Sequence, residues 1–276
     1  MYLCLSIRVN TLAQTTPLTL DDLYKIGLID RKTLKSWNYD LEQKQAKTEL
    51  LESLEEESNS LIEKGLGLLG NSAFEEAIQV FLQAISLYPD NIHAWQLIGD
   101  TLDYSNNSKK AFEVYNKILE KKPDYARILS SMGVMYFKRK KYKQAIRLFN
   151  QSISIDPNQF LTWENLGTVY AEQGRYKDAV DIFRKALELA PASVPTWFNL
   201  GLTKLKNKDY ADAAEIFEQC IKLEPRNGEV WKNLAVCYLK INNIVNARSA
   251  VEYAIQFSPQ DNEILSLQKI ITKKIQ

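Results

Sequence analysis

The chain has 276 residues, 45% apolar and 25% charged, which excludes a disordered polymer and leaves one or two globular domains or one elongated array. Its 35 basic and 34 acidic residues give a net charge of +1, so no overall field draws it to nucleic acid or to an anionic membrane. Three widely spaced cysteines (Cys4, Cys220, Cys237) and a single histidine, His93, exclude a disulfide framework and a clustered zinc site; they point to buried thiols in a reducing cytosol.

The apolar run from Met1 to Ile7 lacks a basic start and falls short of the roughly 7–15-residue core of a secretory signal. No stretch reaches the roughly 18 apolar residues that span a bilayer, so a cytoplasmic protein is expected. Residues 1–18, with Thr15, Thr16 and Pro17, read as irregular. Thr19 and Asp22 have the spacing of a capping box opening a short helix over 20–26, which Gly27 breaks. Asp30 is placed to cap a second helix through Leu34 and Trp37. A charged helix is expected over 41–57, with Leu50, Leu51 and Leu54 on one side, packing as an N-terminal cap on the segment that begins at residue 58.

The stretch Leu23 to Trp37 weakly resembles a helix-turn-helix whose second helix would offer Arg31, Lys32 and Lys35 to DNA. Two short helices around a glycine are common, and no third stabilising helix is evident. The preferred reading of 1–57 is therefore a partly helical structural extension. The alternative is a regulatory protein with a nucleic-acid-binding segment here and a partner-binding repeat domain after it.

From residue 58 the sequence repeats. Prolines stand at 89, 123, 157, 191, 225 and 259, each 34 residues after the last. Alanines keep the same interval at 77, 111, 145, 179, 213 and 247, and glycines at 65, 99, 133, 167 and 201, with Ala235 in the sixth slot. Tryptophan holds the fourth place of four units (Trp95, Trp163, Trp197, Trp231), with Leu61 and Leu129 in the others. Aromatics hold the twenty-fourth place from Phe81 to Phe217, and Val251 closes the series.

Each unit reads as two amphipathic helices. In the fourth, helix A is expected over 161–173, with Trp163, Leu166, Val169 and Tyr170 at helical spacing, ended by Gly174. Helix B is expected over 177–190, with Ala179, Val180, Phe183, Ala186 and Leu187 inward and Pro191 stopping it. Small residues at the eighth and twentieth places let the helices approach; the tryptophan and the second aromatic are expected to fill the space between units. Truncating a buried one should cost about 3–5 kcal/mol. Residues 262–276 read as a solvating helix, with Ile264, Leu265 and Ile271 inward and Lys269, Lys273 and Lys274 outward.

The run Trp163-Glu-Asn-Leu-Gly167, with Tyr170, Ala179, Phe183, Ala186 and Pro191, closely resembles the tetratricopeptide repeat. The resemblance covers six units: 58–91, 92–125, 126–159, 160–193, 194–227 and 228–261. It implies an all-α, right-handed superhelical solenoid of six stacked helix–turn–helix repeats with a C-terminal capping helix. It further implies a scaffold or adaptor for complex assembly, binding a protein or peptide in a concave groove lined by the A helices. Self-association is a further candidate, and nucleic acid is not the expected partner.

The groove places that the resemblance implies carry Asn165, Asn199 and Asn233 in three successive repeats. An amide both donates and accepts, so this ladder suits an extended backbone. Arg127, Lys206, Lys232 and Lys240 make the C-terminal part basic, and Asp100 and Asp103 make the N-terminal part acidic. A polar ligand with an acidic stretch over repeats four to six is expected. The dicarboxylate clamp of chaperone-binding members is not reproduced: Lys232 is followed by Val236, and Arg127 by Ser131.

No enzyme chemistry is expected and no cofactor or metal. The run Gly65-Leu-Gly67-Leu-Leu-Gly70 matches a dinucleotide fingerprint in letters only, because it lies within a helix A rather than between a strand and a helix. No Gly-Lys-Ser/Thr phosphate loop occurs. His93 falls on an early turn of a helix A, and Asp100 and Asp103 share one helix face, which suits partner contact better than acid–base work. The basic run Lys138 to Lys143 falls in a turn and reads as solvated charge, with an import signal or an anion patch as the alternative.

Overall fold

The computed structural model describes residues 19–44 and 48–275, and within them the side chains of 19–38 and 53–274. Cys4, the stretch 1–18 and the side chains of Leu50 and Leu51 lie outside the described residues. Every regular element among the described residues is a helix. The chain divides into two compact units, 1–135 and 136–276.

The first unit holds α1 (Leu20–Lys25), α2 (Arg31–Lys44), α3 (Thr48–Gly70), α4 (Phe74–Leu87), α5 (Ile92–Tyr104), α6 (Ser108–Lys121) and most of α7 (Ala126–Lys138). Helix α3 packs on α4, α4 on α5 and α5 on α6. The capping box is present: Asp22 accepts from the Thr19 amide at 2.9 Å and from its hydroxyl at 3.0 Å. Asp30 accepts from the Thr33 amide at 2.7 Å at the start of α2. The helix that supports this pair is α4, on which α2 rests, and Leu20, Leu23 and Leu34 are buried.

The charged helix read over 41–57 is divided: residues 41–44 end α2, whereas 48–57 run on into the first helix A as one continuous helix, α3. No proline or glycine stands between Thr48 and Gly65, so nothing ends the helix before it enters the repeat. Ser58 is buried inside it, donating to the Ala84 carbonyl and accepting from Asn91, each at 3.0 Å. Asn91 in turn caps α5.

The second unit holds α8 (Tyr142–Ile155), α9 (Phe160–Glu172), α10 (Tyr176–Leu189), α11 (Val194–Lys206), α12 (Tyr210–Leu223), α13 (Gly228–Lys240), α14 (Ile244–Phe257) and α15 (Asn262–Ile275). Each of these helices packs on the next. The connections are three or four residues long, so successive helices run antiparallel.

Two contacts recur. The twenty-fourth-place ring lies on the eighth-place glycine of its own repeat and also packs with the next unit, Phe183 clustering with Leu200 and Phe217 with Val230 and Leu234. A Cβ built on Gly201 would come within 2.7 Å of Phe217, and one on Gly167 within 2.8 Å of Phe183. The tryptophans also bridge units. Trp95, Trp163, Trp197 and Trp231 donate their indole N–H to the carbonyls of Pro89, Pro157, Pro191 and Pro225, at 2.8–2.9 Å. Trp95 is buried and the other three tryptophans are half-buried, so the full truncation cost applies to Trp95 among the tryptophans and to the buried rings from Phe81 to Phe217.

The turn from A to B follows one geometry in all six repeats. The fifteenth residue is left-handed, with φ between 57° and 72°: Ser72, Asn106, Lys140, Gly174, Lys208 and Asn242. The next amide reaches back five residues, as Arg175 N–H to the Tyr170 carbonyl at 2.9 Å and Asp209 N–H to that of Lys204 at 3.0 Å. This is a Schellman closure, and only one of the six uses the glycine that makes it free of Cβ strain.

At the C-terminus Ile264, Leu267 and Ile271 are the buried side chains of α15, and Leu265 is half-buried. The apolar set is therefore shifted by two residues at its centre from the sequence reading.

Two outcomes are expected in urea unfolding monitored by circular dichroism. Lys208→Gly stabilises by about 1 kcal/mol, the penalty that a Cβ carries in the left-handed region. Gly201→Ala destabilises by about 1–2 kcal/mol, because overpacking beneath Phe217 outweighs the helix-propensity gain. Adding Phe217→Val, which copies the Ala235–Val251 pairing of the sixth repeat, should recover part of that loss.

Candidate functional site

Helices α9, α11, α13 and α15 lie side by side in the second unit, each touching the next of the set. Helix α15 thus takes the position of a seventh helix A. Between α11, α13 and α15 lies a cleft of about 650 Å³. Its floor is apolar: Leu202, Leu205, Val236, Leu267 and Ile270. Its rim carries Glu229, Lys232, Asn233, Glu263 and Ser266. Ile270 in this lining is 52% exposed, and Leu161 on α9 is a further apolar side chain that is 57% exposed.

The sequence-derived groove residues separate by unit. Asn165, Asn199, Asn233, Lys206, Lys232 and Lys240 belong to the second; Asp100, Asp103 and Arg127 belong to the first. Asn165 and Asn199 are half-buried. Asn233 is buried and donates to the Glu229 carbonyl of its own helix at 2.8 Å, so part of its amide is already used.

Two of the lysines are paired across repeats. Lys232 lies 2.9 Å from Glu263 and 3.8 Å from Asp261. Burial pulls its ammonium pKa down, but the bond to Glu263 and the neighbouring carboxylates outweigh this and the pKa is raised. Lys206 lies 3.6 Å from Glu172 of the preceding repeat. Lys240 is exposed.

In the first unit Asp100 serves the core. It accepts from the hydroxyl of buried Tyr115 and from Gln96 at 3.2 Å, and Tyr125 donates to Gln96 at 3.0 Å. The sequence supplies the reason. Tyr115 is the one hydroxylated ring in the twenty-fourth place, and a buried phenol needs an acceptor. Burial first, then Asp100, pushes the Tyr115 pKa up. Asp103 accepts from Ser108 at 2.9 Å. Arg127 is exposed and faces the charge of His93, whose pKa is held below 6.5 by partial burial first and then by Arg127, against the pull of Asp100.

The apolar floor is what sequence reasoning missed. Leu202 and Val236 occupy ninth places and Leu205 a twelfth, so the groove places already carried the signal. Leu267 and Ile270 become visible once α15 is aligned as a further helix A, 34 residues after Asn233 and Val236. Arg31, Lys32 and Lys35 are exposed on α2. Cys220 and Cys237 are buried and burial pushes both thiols up to about 12, which keeps them protonated and unreactive. Among the described residues no group of three or more His, Cys, Asp or Glu side chains could hold a metal, and no helix is long and apolar enough to cross a membrane.

Asp100→Ala should cost about 1–3 kcal/mol by orphaning the Tyr115 hydroxyl. In a double-mutant cycle with Tyr115→Phe most of that cost should vanish. The single histidine gives a clean NMR titration: Arg127→Ala should move its midpoint up, and Asp100→Ala should move it down.

Tetratricopeptide repeat family models match residues 62–126, 124–192, 158–226 and 204–271. A peroxisomal targeting signal receptor of Candida albicans is 36% identical over 75 residues, 26% of this chain and 13% of the receptor. This chain therefore spans a small part of the curated relatives it matches. A tetratricopeptide repeat-containing protein of Dictyostelium discoideum is 35% identical over 74 residues, 26% of this chain and 28% of that protein. Among solved structures, PilF of Pseudomonas aeruginosa superposes with a TM-score of 0.67 at 20% identity, covering 79% of this chain and 99% of that one. YrrB, described as having an unusual peptide-binding site, gives 0.59 at 22% identity, with 68% and 97% covered. The matched models together run unbroken from residue 62 to 271, over the same helix pairs, and the chain belongs to the tetratricopeptide repeat family.

Proposed function

We propose that the chain is a non-enzymatic scaffold or adaptor that holds a segment of a partner protein in the groove of α9, α11, α13 and α15, in the service of complex assembly in the cytoplasm. The observation that carries this reading is the cleft with an apolar floor and a polar rim, the composition of a peptide site. YrrB, a structural neighbour, is described by its peptide-binding site, which supports a similar use here.

The lysines refine the expected ligand. Lys206 and Lys232 are neutralised by Glu172, Asp261 and Glu263 before any partner arrives, so they add little attraction for an acidic stretch. The occupant we infer is a segment with at least one apolar anchor for the floor formed by Leu202, Val236 and Leu267. Its backbone is held by Asn165 and Asn199, and Lys240, Arg127, Asp100 and Asp103 remain candidate contacts.

The test is a photo-crosslinking residue at Val236 in the full chain, followed by titration of the captured peptide. Val236→Asp or Leu202→Asp should weaken it by about 10–100-fold, the value of one buried apolar side chain. Asn199→Ala with Asn233→Ala should weaken it by a smaller factor. Unchanged affinity in both aspartate variants would end the reading.

A further inference from the structure

The turns from A to B helices in the second unit collect at one end of it. Helices α8 and α10 both run antiparallel to α9, and the alternation continues through α14, so residues 138–143, 172–177, 206–211 and 240–245 share that end. These four segments hold ten basic and two acidic residues. The loops at the opposite end, 154–159, 188–193, 222–227 and 256–261, hold two basic and four acidic. In a chain of net charge +1 this is a segregation of charge, not a surplus.

Part of the positive charge is spent locally. Arg175 pairs with Asp178 at 2.7 Å and lies over the Tyr170 ring, and Lys206 pairs with Glu172. Lys140, Lys141 and Lys143 on the first turn, Lys177 on the second, Lys208 on the third and Lys240 on the fourth are all exposed. Neighbouring helices pack about 8–10 Å apart, close to the Debye length of about 8 Å at physiological salt, so the fields of successive turns merge into one strip.

The fourth turn adds a different element. Val245 is 77% exposed, the most exposed large apolar side chain among the described residues, and Ile241 on the same turn is 41% exposed. The matching places in the other three turns hold Lys143, Lys177 and Ala211, and Arg139, Gln173 and Asn207. The core does not use Val245, which stands out beside the lysines rather than under them.

We propose that this end of the second unit docks on an anionic lipid surface, the lysines meeting the headgroups and Val245 and Ile241 entering the layer beneath. A basic strip ending in exposed aliphatic side chains combines the two terms that bind proteins to such a surface, charge and apolar insertion. A nucleic acid backbone would use the lysines and leave the aliphatic pair idle. Convex turn tips suit a layer of headgroups that conforms to them better than a folded protein of fixed relief.

The test is co-sedimentation of the full chain with vesicles of phosphatidylcholine alone or with about one third phosphatidylserine. Binding is expected to the anionic vesicles only and to weaken with salt. Lys141→Ala with Lys143→Ala should lower it about 25-fold, at roughly fivefold per lysine. Val245→Ser should lower it about tenfold, and Val245→Leu should preserve it. Circular dichroism and the groove-peptide titration, unchanged in these variants, separate this result from a failure of the groove reading. Equal binding to both vesicle types, or indifference to the lysine changes, would overturn the proposal. So would binding of RNA or polyglutamate that depends on the lysines but not on Val245, with no binding to vesicles.

Discussion

Phe81 lies on Gly65, Tyr115 on Gly99, Phe183 on Gly167 and Phe217 on Gly201. At each site a ring occupies the volume where a side chain would otherwise stand, and the two helices of a repeat close to the distance this allows. Everything else in the repeat takes its position from that approach. It sets where the tryptophan of the next unit meets the proline carbonyl, and how the A helices stand beside one another in the second unit. The sixth repeat shows the constraint by its exception: Ala235 supplies the missing methyl group, and Val251 replaces the ring that would have met it.

The helix-A face of the second unit and the end that carries its turns use charge in opposite ways. On the face, Lys206 and Lys232 are tied to carboxylates of adjacent helices, so they link neighbouring helices beside an apolar floor. At the turns, exposed lysines stand in excess over acids and keep their field. In the first unit Asp100 is likewise engaged within the fold, claimed by the core because one ring in the series carries a hydroxyl.

The repeat, its helix pairs and their registers were legible because glycine, alanine, proline and aromatic residues each recur at one interval, and each has a separate steric reason to do so. The partner of each tryptophan was hidden in plain view. Trp197 reads as filling and Pro191 as a stop, yet a backbone carbonyl carries no letter in the sequence. The left-handed turn is legible at Gly174 and, more weakly, at Asn106 and Asn242, whereas lysine and serine do not announce the conformation they adopt at Lys140, Lys208 and Ser72. Choosing groove residues for their polarity passes over Leu202 and Val236. Whether a lysine faces solvent or a carboxylate on the neighbouring repeat depends on side-chain placement, which spacing alone does not encode.

The tryptophan–proline bond links one repeat to the next, whereas the ring and its glycine lie within one repeat. Excision of the 34 residues from 160 to 193 would rejoin Pro157 to Trp197 at the six-residue spacing they already keep with other partners. Duplication of the same block would insert one more identical joint. The number of units in the middle of this chain is thus open to drift by unequal recombination with little structural penalty. Its C-terminal end is not, because α15 is fitted to a repeat whose ring has been replaced by valine.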